Sequence, residues 1–266
     1  MLKQQHKNKR FLSKIAAKVL SGWLNPSYIN TKTMERDIKN VSKYAYGTML
    51  DIGCGTKPYY SIFQNKVNRY IGLENVTFSK VNPEGVGSRD TDISEIIKTT
   101  PRDRCPDIFG NSLCLPLKND SVDTVLCTEV LEHVPEPQKM MNEIARVLKR
   151  DGVLIMTAPF ALGHHQAPYD YYRYTKYGLL YLAETSGLKP FLIKPHHGFF
   201  ALIGLFLSSL LYFDFCRTKT GKPNIFLAIF IIPVCAIIQL VFYLLDKIKF
   251  IDGTTKGHIL VARKPA

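Results

Sequence analysis

Residues 47–59, GTMLDIGCGTKPY, decide how this chain is read: an apolar run ends in Asp51, and two glycines one residue apart follow before Pro58. A strand entering Gly53-Cys54-Gly55 makes a tight turn where backbone N–H groups approach a ligand, and a helix N-terminus beyond it favours a carboxylate or phosphate. A dinucleotide fingerprint would place a third glycine three residues after Gly55, where this chain has Pro58, which argues against NAD. The turn predicts a nucleotide-type pocket of another kind.

Outward from this turn, strand-like runs fall at 69–74 (RYIGLE), 106–110 (PDIFG), 122–127 (VDTVLC) and 152–158 (GVLIMTA). The spacing predicts a helix over 136–149, with Met140, Met141, Ile144, Val147 and Leu148 on one stripe and Asp151-Gly152 beyond its end. Strands alternating with helices predict a doubly wound α/β sheet. Only 92–99 reads as helical within 75–104. Ligands in such sheets sit beyond the carboxyl ends of the strands, which singles out Asp51, Glu74, Asn111 and Cys127-Thr128-Glu129. Glu74, 21 residues after Gly53, has the spacing of a carboxylate that accepts from both ribose hydroxyls; the plain reading is a solvated strand end. Asn111 either meets an adenine edge or closes a turn.

The chain has 266 residues, enough for one α/β core and an extra element, and 35 Lys and Arg against 22 Asp and Glu give a net charge of +13. That excess predicts an anionic partner. Six cysteines without a C-x-x-C pair read as reduced core residues of a cytosolic protein, with no disulfide framework and no metal site expected. The first 26 residues read as a basic amphipathic helix and not as an export signal.

The order LDIGCG, YIGLE, GNSLCLPLKNDSVDTVLCTEVLEHV and DGVLIMTAPF resembles the class I S-adenosylmethionine-dependent methyltransferases, small-molecule type, over about 45–195 and the last strand. The resemblance implies a Rossmann-like seven-stranded sheet of order 3-2-1-4-5-7-6 with its last strand antiparallel. It implies S-adenosyl-L-methionine as cofactor. Asp51, Gly53, Cys54 and Gly55 would hold its methionyl part, Glu74 the ribose, Asn111 and the Ser112 backbone the adenine, and Cys127 and Thr128 would border the amino group. The family often has Asp where this chain has Asn111.

A base for the acceptor has two candidate sources. Glu129 and His133 stand one helical turn apart after the fourth strand. The loop 164–175, HHQAPYDYYRYT, gathers His164, His165, Asp170, Arg173 and four tyrosines, and resembles the H-x-x-P-x-D-x-x-R-Y-T stretch of bacterial-type small-molecule methyltransferases. His165, Asp170 and Arg173 are the catalytic candidates by that resemblance. The plain reading makes Asp170 and Arg173 an ion pair and Thr175 a helix cap.

Two uncharged segments, 198–213 and 225–245, separate the sixth strand (190–195) from the last (258–264). Both ends of this insert must lie on one side of any membrane, so it crosses twice or not at all. The first segment is too short to span, and the basic connection RTKTGK (217–222) would lie on the wrong side of a full crossing. The expectation is a hairpin dipping into the cytoplasmic leaflet against anionic head groups, with a two-span hairpin or a covered protein interface as alternatives. The organisation predicted is 1–45 as an N-terminal helical region, 46–197 with 256–266 as the methyltransferase domain, and 198–250 as the insertion. The end of the fourth strand, CTEV, differs from the N-P-P-[FY] of many base N-methyltransferases, and no aromatic-interleaved basic module points to nucleic acid. An oxygen or carbon of a hydrophobic or lipid-linked small molecule is the expected acceptor; a polar metabolite or a non-catalytic scaffold are the competing readings.

Overall fold

The computed structural model describes residues 28–75, 100–216 and 224–266. The expected helices at the N-terminus and at 92–99 lie outside the described residues, as does the connection 217–222. Two compact units are present, one formed by Glu35–His196 with Thr255–Ala266, the other by residues 28–34 with His197–Thr254.

The larger unit holds seven strands: β1 (Thr48–Ile52), β2 (Arg69–Glu74), β3 (Ile108–Phe109), β4 (Val122–Thr128), β5 (Leu148–Pro159), β6 (Lys189–Pro195) and β7 (Gly257–Arg263). Their order is β3-β2-β1-β4-β5-β7-β6, with β7 antiparallel to both neighbours and the other pairs parallel. This is the expected doubly wound sheet. Central strands of such a sheet are covered on both faces, so they read as unbroken apolar runs: Met49, Leu50, Ile52, Val125, Leu126, Leu154, Ile155 and Met156 are all buried.

The described helices are α1 (Tyr28–Val41), α2 (Tyr60–Phe63), α3 (Pro137–Val147), α4 (Lys176–Thr185), α5 (Phe199–Ser209) and α6 (Ile225–Ile248). The α3 stripe buries Met140, Met141, Ile144 and Val147, as its 3.6-residue period requires. It ends at Val147 rather than at residue 149, because Leu148 turns extended and pairs with Val122 as the first residue of β5. The strand therefore starts four residues earlier than the sequence suggests, and Asp151 takes a left-handed conformation (φ 62°) beside Gly152. β3 is shorter than 106–110: Pro106 has no N–H, and the Asp107 side chain is turned back toward β2. Thr175 caps α4 by accepting from the Gly178 N–H at 3.1 Å. Of the six free cysteines, 54, 127, 216 and 235 are buried, but Cys105 is half-buried and Cys114 exposed, so the expectation of core residues fails for these two.

In the smaller unit, α5 and α6 pack as a hairpin. The Asp246 carboxylate accepts from the Gly198 and Phe200 N–H groups (2.9 and 3.0 Å), capping α5 from the far end of α6. Gly204 sits so close to α6 that a Cβ there would lie 2.7 Å from Phe242 Cβ. A seven-residue π-helix, Leu210–Cys216, follows α5, and Asn224 caps α6. α6 is three residues longer than the uncharged segment and has 24 residues, a length of about 36 Å.

Candidate active site

The carboxyl ends of β1, β2, β4 and β5 converge on the glycine turn. Gly53 and Gly55 have φ of +67° and +50°, a region that favours glycine. A Cβ on Gly53 would meet Val130 Cγ2 at 2.4 Å, whereas the space beyond Gly55 is open for 4 Å. The Gly53 and Cys54 N–H groups do not face outward as expected; both donate to Leu73 O (2.9 and 3.1 Å) and fasten the turn to β2. The Gly55 N–H donates to Glu74 Oε2 at 2.7 Å, and Asn75 N–H to Glu74 Oε1 at 2.9 Å. Glu74 thus stands beside the turn, and burial holds its pKa above the usual value despite these two donors.

Asp51 is fully buried at the end of β1. Its Oδ2 accepts a hydrogen bond from the Tyr70 hydroxyl, while Oδ1 has no partner. Burial pushes its pKa up to about 7; Tyr70 opposes the shift and Glu74 adds to it. An orphaned carboxylate oxygen at the closed end of a glycine turn fits an ammonium group.

Other expected residues divide. Asn111 is exposed, and its Oδ1 accepts from the Leu113 N–H at 2.9 Å, so the turn reading holds for that oxygen while the amide NH₂ is left to a ligand. Ser112 follows it, half-buried. The Cys127 side chain is fully buried in the core, and Thr128 is half-buried at the strand end.

Glu129 and His133 do not share a helix face. Glu129 is left-handed (φ 52°), and a single 3₁₀ turn, Leu131–His133, replaces the expected helix. Glu129 instead pairs with buried Lys256 from the start of β7 at 2.6 Å; burial raises its pKa, but Lys256 more than offsets this and holds it low. A carboxylate neutralised in this way is a poor base.

The loop after β5 is organised by one ion pair. Arg173 Nη1 and Nη2 reach Asp170 Oδ1 and Oδ2 at 2.6 and 2.7 Å, and the same guanidinium donates to the carbonyls of Leu162, Gly163 and Tyr172. Asp170 also accepts from the His165 N–H at 3.0 Å. Burial alone would raise the Asp170 pKa, but the Arg173 bonds bring it down to about 2. Asp170 and Arg173 thus hold the loop backbone at His165. The rings of His165 and His133 stack edge-on, 4.7 Å apart, beside the buried carboxylate of Glu132. Burial disfavours a charged His165, yet Glu132, the Gly163 carbonyl and Asp170 together raise its pKa.

Three contributors escaped the sequence reading. Lys57, buried in the turn itself, pairs with Asp107 at 2.8 Å, and Asp107 also accepts from Gly72 N–H at 2.7 Å, tying β3 to β2. Lys256 neutralises Glu129, and Glu132 lies inside V-L-E-H-V, where only His133 drew attention. The Lys57 stem passes over Gly72, where a Cβ would lie 2.5 Å from Lys57 Cε and 2.7 Å from Cys54 Sγ. Gly72→Ala is accordingly expected to cost about 1–3 kcal/mol through overpacking and to weaken cofactor binding by shifting Cys54; urea unfolding with calorimetry checks both.

Residues 50–156 match the family model described as a methyltransferase domain. Over this stretch the chain is similar to methyltransferase domains. An uncharacterized methyltransferase of Mycobacteroides abscessus is 31% identical over 118 residues, 44% of this chain and 41% of that protein. An uncharacterized protein of Methanocaldococcus jannaschii is 32% identical over 108 residues, 41% of this chain and 39% of its own. The matched stretch thus spans about two fifths of these relatives' length. Among solved structures, an S-adenosylmethionine-dependent methyltransferase of Archaeoglobus fulgidus superposes with a TM-score of 0.52 at 13% identity, covering 88% of this chain and 94% of that one. One from Thermotoga maritima gives 0.52 at 15% identity, covering 97% and 98%. At these identities the likeness is one of fold.

The cofactor of the methyltransferases is S-adenosylmethionine, and this site fits it. Asp51 Oδ1 would receive the methionyl ammonium, the open face of Gly55 gives the chain room, and Glu74 stands where ribose hydroxyls can replace its backbone donors.

Proposed function

We propose that this protein transfers a methyl group from S-adenosylmethionine to an oxygen or carbon of a hydrophobic or lipid-linked small molecule at the cytoplasmic face of a membrane. The observation that carries the reading is the apolar surface of the helical hairpin. Phe226, Phe230 and Ile237 of α6 are 81%, 74% and 62% exposed, and among the described residues α6 is the one helix long and apolar enough to cross a membrane. So large an exposed apolar face in a protein with a +13 charge suits an anionic lipid surface. Pro195 and His258 pair across β6 and β7, so the insert leaves and re-enters the sheet at one place. α5 with its π-helical continuation gives an apolar helix of Phe199–Phe213, short of the roughly 20 residues that a span requires, which favours a hairpin lodged in one leaflet over two crossings.

S-adenosylmethionine supplies an activated methyl and its leaving group for in-line displacement. The protein's part is to align and to exclude water. Asp51 fixes one end of the cofactor, Glu74 and Asn111 with Ser112 the other, and the loop held by Asp170 and Arg173 carries His165. The CTEV end of β4 supports oxygen or carbon over a base nitrogen.

The test uses the full chain with liposomes containing anionic lipid and a bacterial membrane extract, with methyl-labelled cofactor. The protein should float with the liposomes, and label should enter an organic-extractable product. Label confined to water-soluble product, with no flotation, would overturn the membrane and lipid reading and favour a polar acceptor.

A further inference from the structure

Glu132, His133 and His165 form a cluster that neither the glycine turn nor the Asp170–Arg173 clamp accounts for. Glu132 is fully buried, and neither of its carboxylate oxygens has a hydrogen-bond partner. A buried carboxylate is costly unless something cationic or protic completes it.

The histidine rings show what that is. His133 Nδ1 lies 2.7 Å from Tyr169 O, and His165 Nδ1 lies 3.2 Å from Gly163 O. A carbonyl oxygen only accepts, so each Nδ1 carries a proton, and in the neutral ring Nε2 is then the nitrogen available to a metal. Arg173 Nη2 approaches His165 Nδ1 less closely, at 3.4 Å. The two Nε2 atoms face the carboxylate, at 3.6 Å (His133) and 3.8 Å (His165) from Glu132 Oε1, beyond hydrogen-bond length. Two imidazole nitrogens converging on a buried carboxylate with no hydrogen-bond partner describe a set of metal ligands. The carbonyl behind each ring is the usual outer partner that fixes a ligating histidine.

We propose that Glu132, His133 and His165 bind one divalent transition-metal ion of the zinc class. Their donor atoms lie within 4.8 Å of one another. Tetrahedral zinc with bonds of about 2.1 Å needs donors about 3.4 Å apart, so the widest pair closes by about 1.4 Å at most. His165 can supply that movement, since it lies on a loop and its side chain is 22% exposed. Two imidazoles and one carboxylate select zinc, cobalt or iron over magnesium and calcium, and leave a coordination position for water. The nearby Arg173 charge is neutralised by Asp170. The assignment holds whatever the methyl acceptor is.

Tag-free full chain, stripped with a chelator, is titrated with Co²⁺ and then with Zn²⁺. One equivalent of Co²⁺ should bind with visible absorption that one equivalent of Zn²⁺ displaces. His165→Ala and Glu132→Gln should each weaken binding by about a hundredfold or more, while His164→Ala, whose side chain is 98% exposed, should leave it unchanged. Should Glu132→Gln not fold, His165→Ala decides. No Co²⁺ signal in protein that still binds S-adenosylmethionine, or equal affinity in His165→Ala, would overturn the proposal. Co²⁺ binding without S-adenosylmethionine binding would sustain it and count against the cofactor site instead.

Discussion

Asp51→Asn is expected to weaken S-adenosylmethionine binding about a hundredfold while making the ligand-free protein more stable at alkaline pH. The two effects have one cause. Asp51 is fully buried with an orphaned Oδ1, an arrangement that is costly without a ligand and favourable with an ammonium bound there. Its pKa rises from 3.8 to about 7 on folding, so the folded state holds the proton more tightly than the unfolded chain. Stability from this group is therefore full below pH 3.8 and declines as pH rises through 7, a loss on the order of 4 kcal/mol. Asparagine keeps an acceptor for Tyr70 and removes the charge, although its NH₂ is then left unpaired, so a net gain of about 1–2 kcal/mol is expected at pH 8 and little or none at pH 5. Cofactor binding follows the opposite trend. The ammonium requires the ionised carboxylate, so affinity in the native protein should climb toward tenfold per pH unit well below pH 7. It should fall again above about pH 8, as an α-amino group loses its proton. Calorimetry across pH, with urea unfolding of both proteins, reads both effects; a flat acid limb in the native protein would contradict the role of Asp51.

Arg173→Ala is expected to cost about 3 kcal/mol or more and to abolish turnover while sparing cofactor affinity. The guanidinium makes two bonds to a carboxylate whose side chain is only 4% exposed and three more to loop carbonyls. Its removal leaves Asp170 buried with the His165 N–H. Arg173→Lys should rescue little, because an ammonium cannot reproduce the fork. The Asp170→Asn, Arg173→Ala pair should cost less than the sum of the single changes, since the orphaned charge is gone. The low Asp170 pKa gives a sign to the acid limb: its stabilisation is present above about pH 4 and is lost as pH falls toward 2. Equal losses of cofactor binding and turnover in Arg173→Ala would mean that the loop supports the cofactor and not the acceptor.

The sheet was legible in the sequence because each β-run is short, apolar and closed by a turn or a polar residue, and because Glu74 keeps a fixed distance from Gly53. Such signals are local. What escaped depends on contacts made across crossovers. Lys256 and Glu129 meet only because β7 returns beside β5, and Lys57 and Asp107 only because β3 pairs with β2. The helical spacing of Glu129 and His133 misled for a different reason. The chain leaves β4 through a left-handed residue, and the 3₁₀ turn that follows aims Glu132 at His133 and His165. Asn111 shows a competition between roles, since the oxygen suited to a base edge is used by its own turn.

The central claim is that the turn at Gly53–Gly55, Asp51 and Glu74 form an S-adenosylmethionine site. Calorimetric titration of the full chain with S-adenosylmethionine, beside Glu74→Ala, tests it most directly. One saturable site is predicted for the native protein, weakened about tenfold or more when the carboxylate that bonds Gly55 is removed. No binding by folded native protein, or the same affinity in Glu74→Ala, would contradict it.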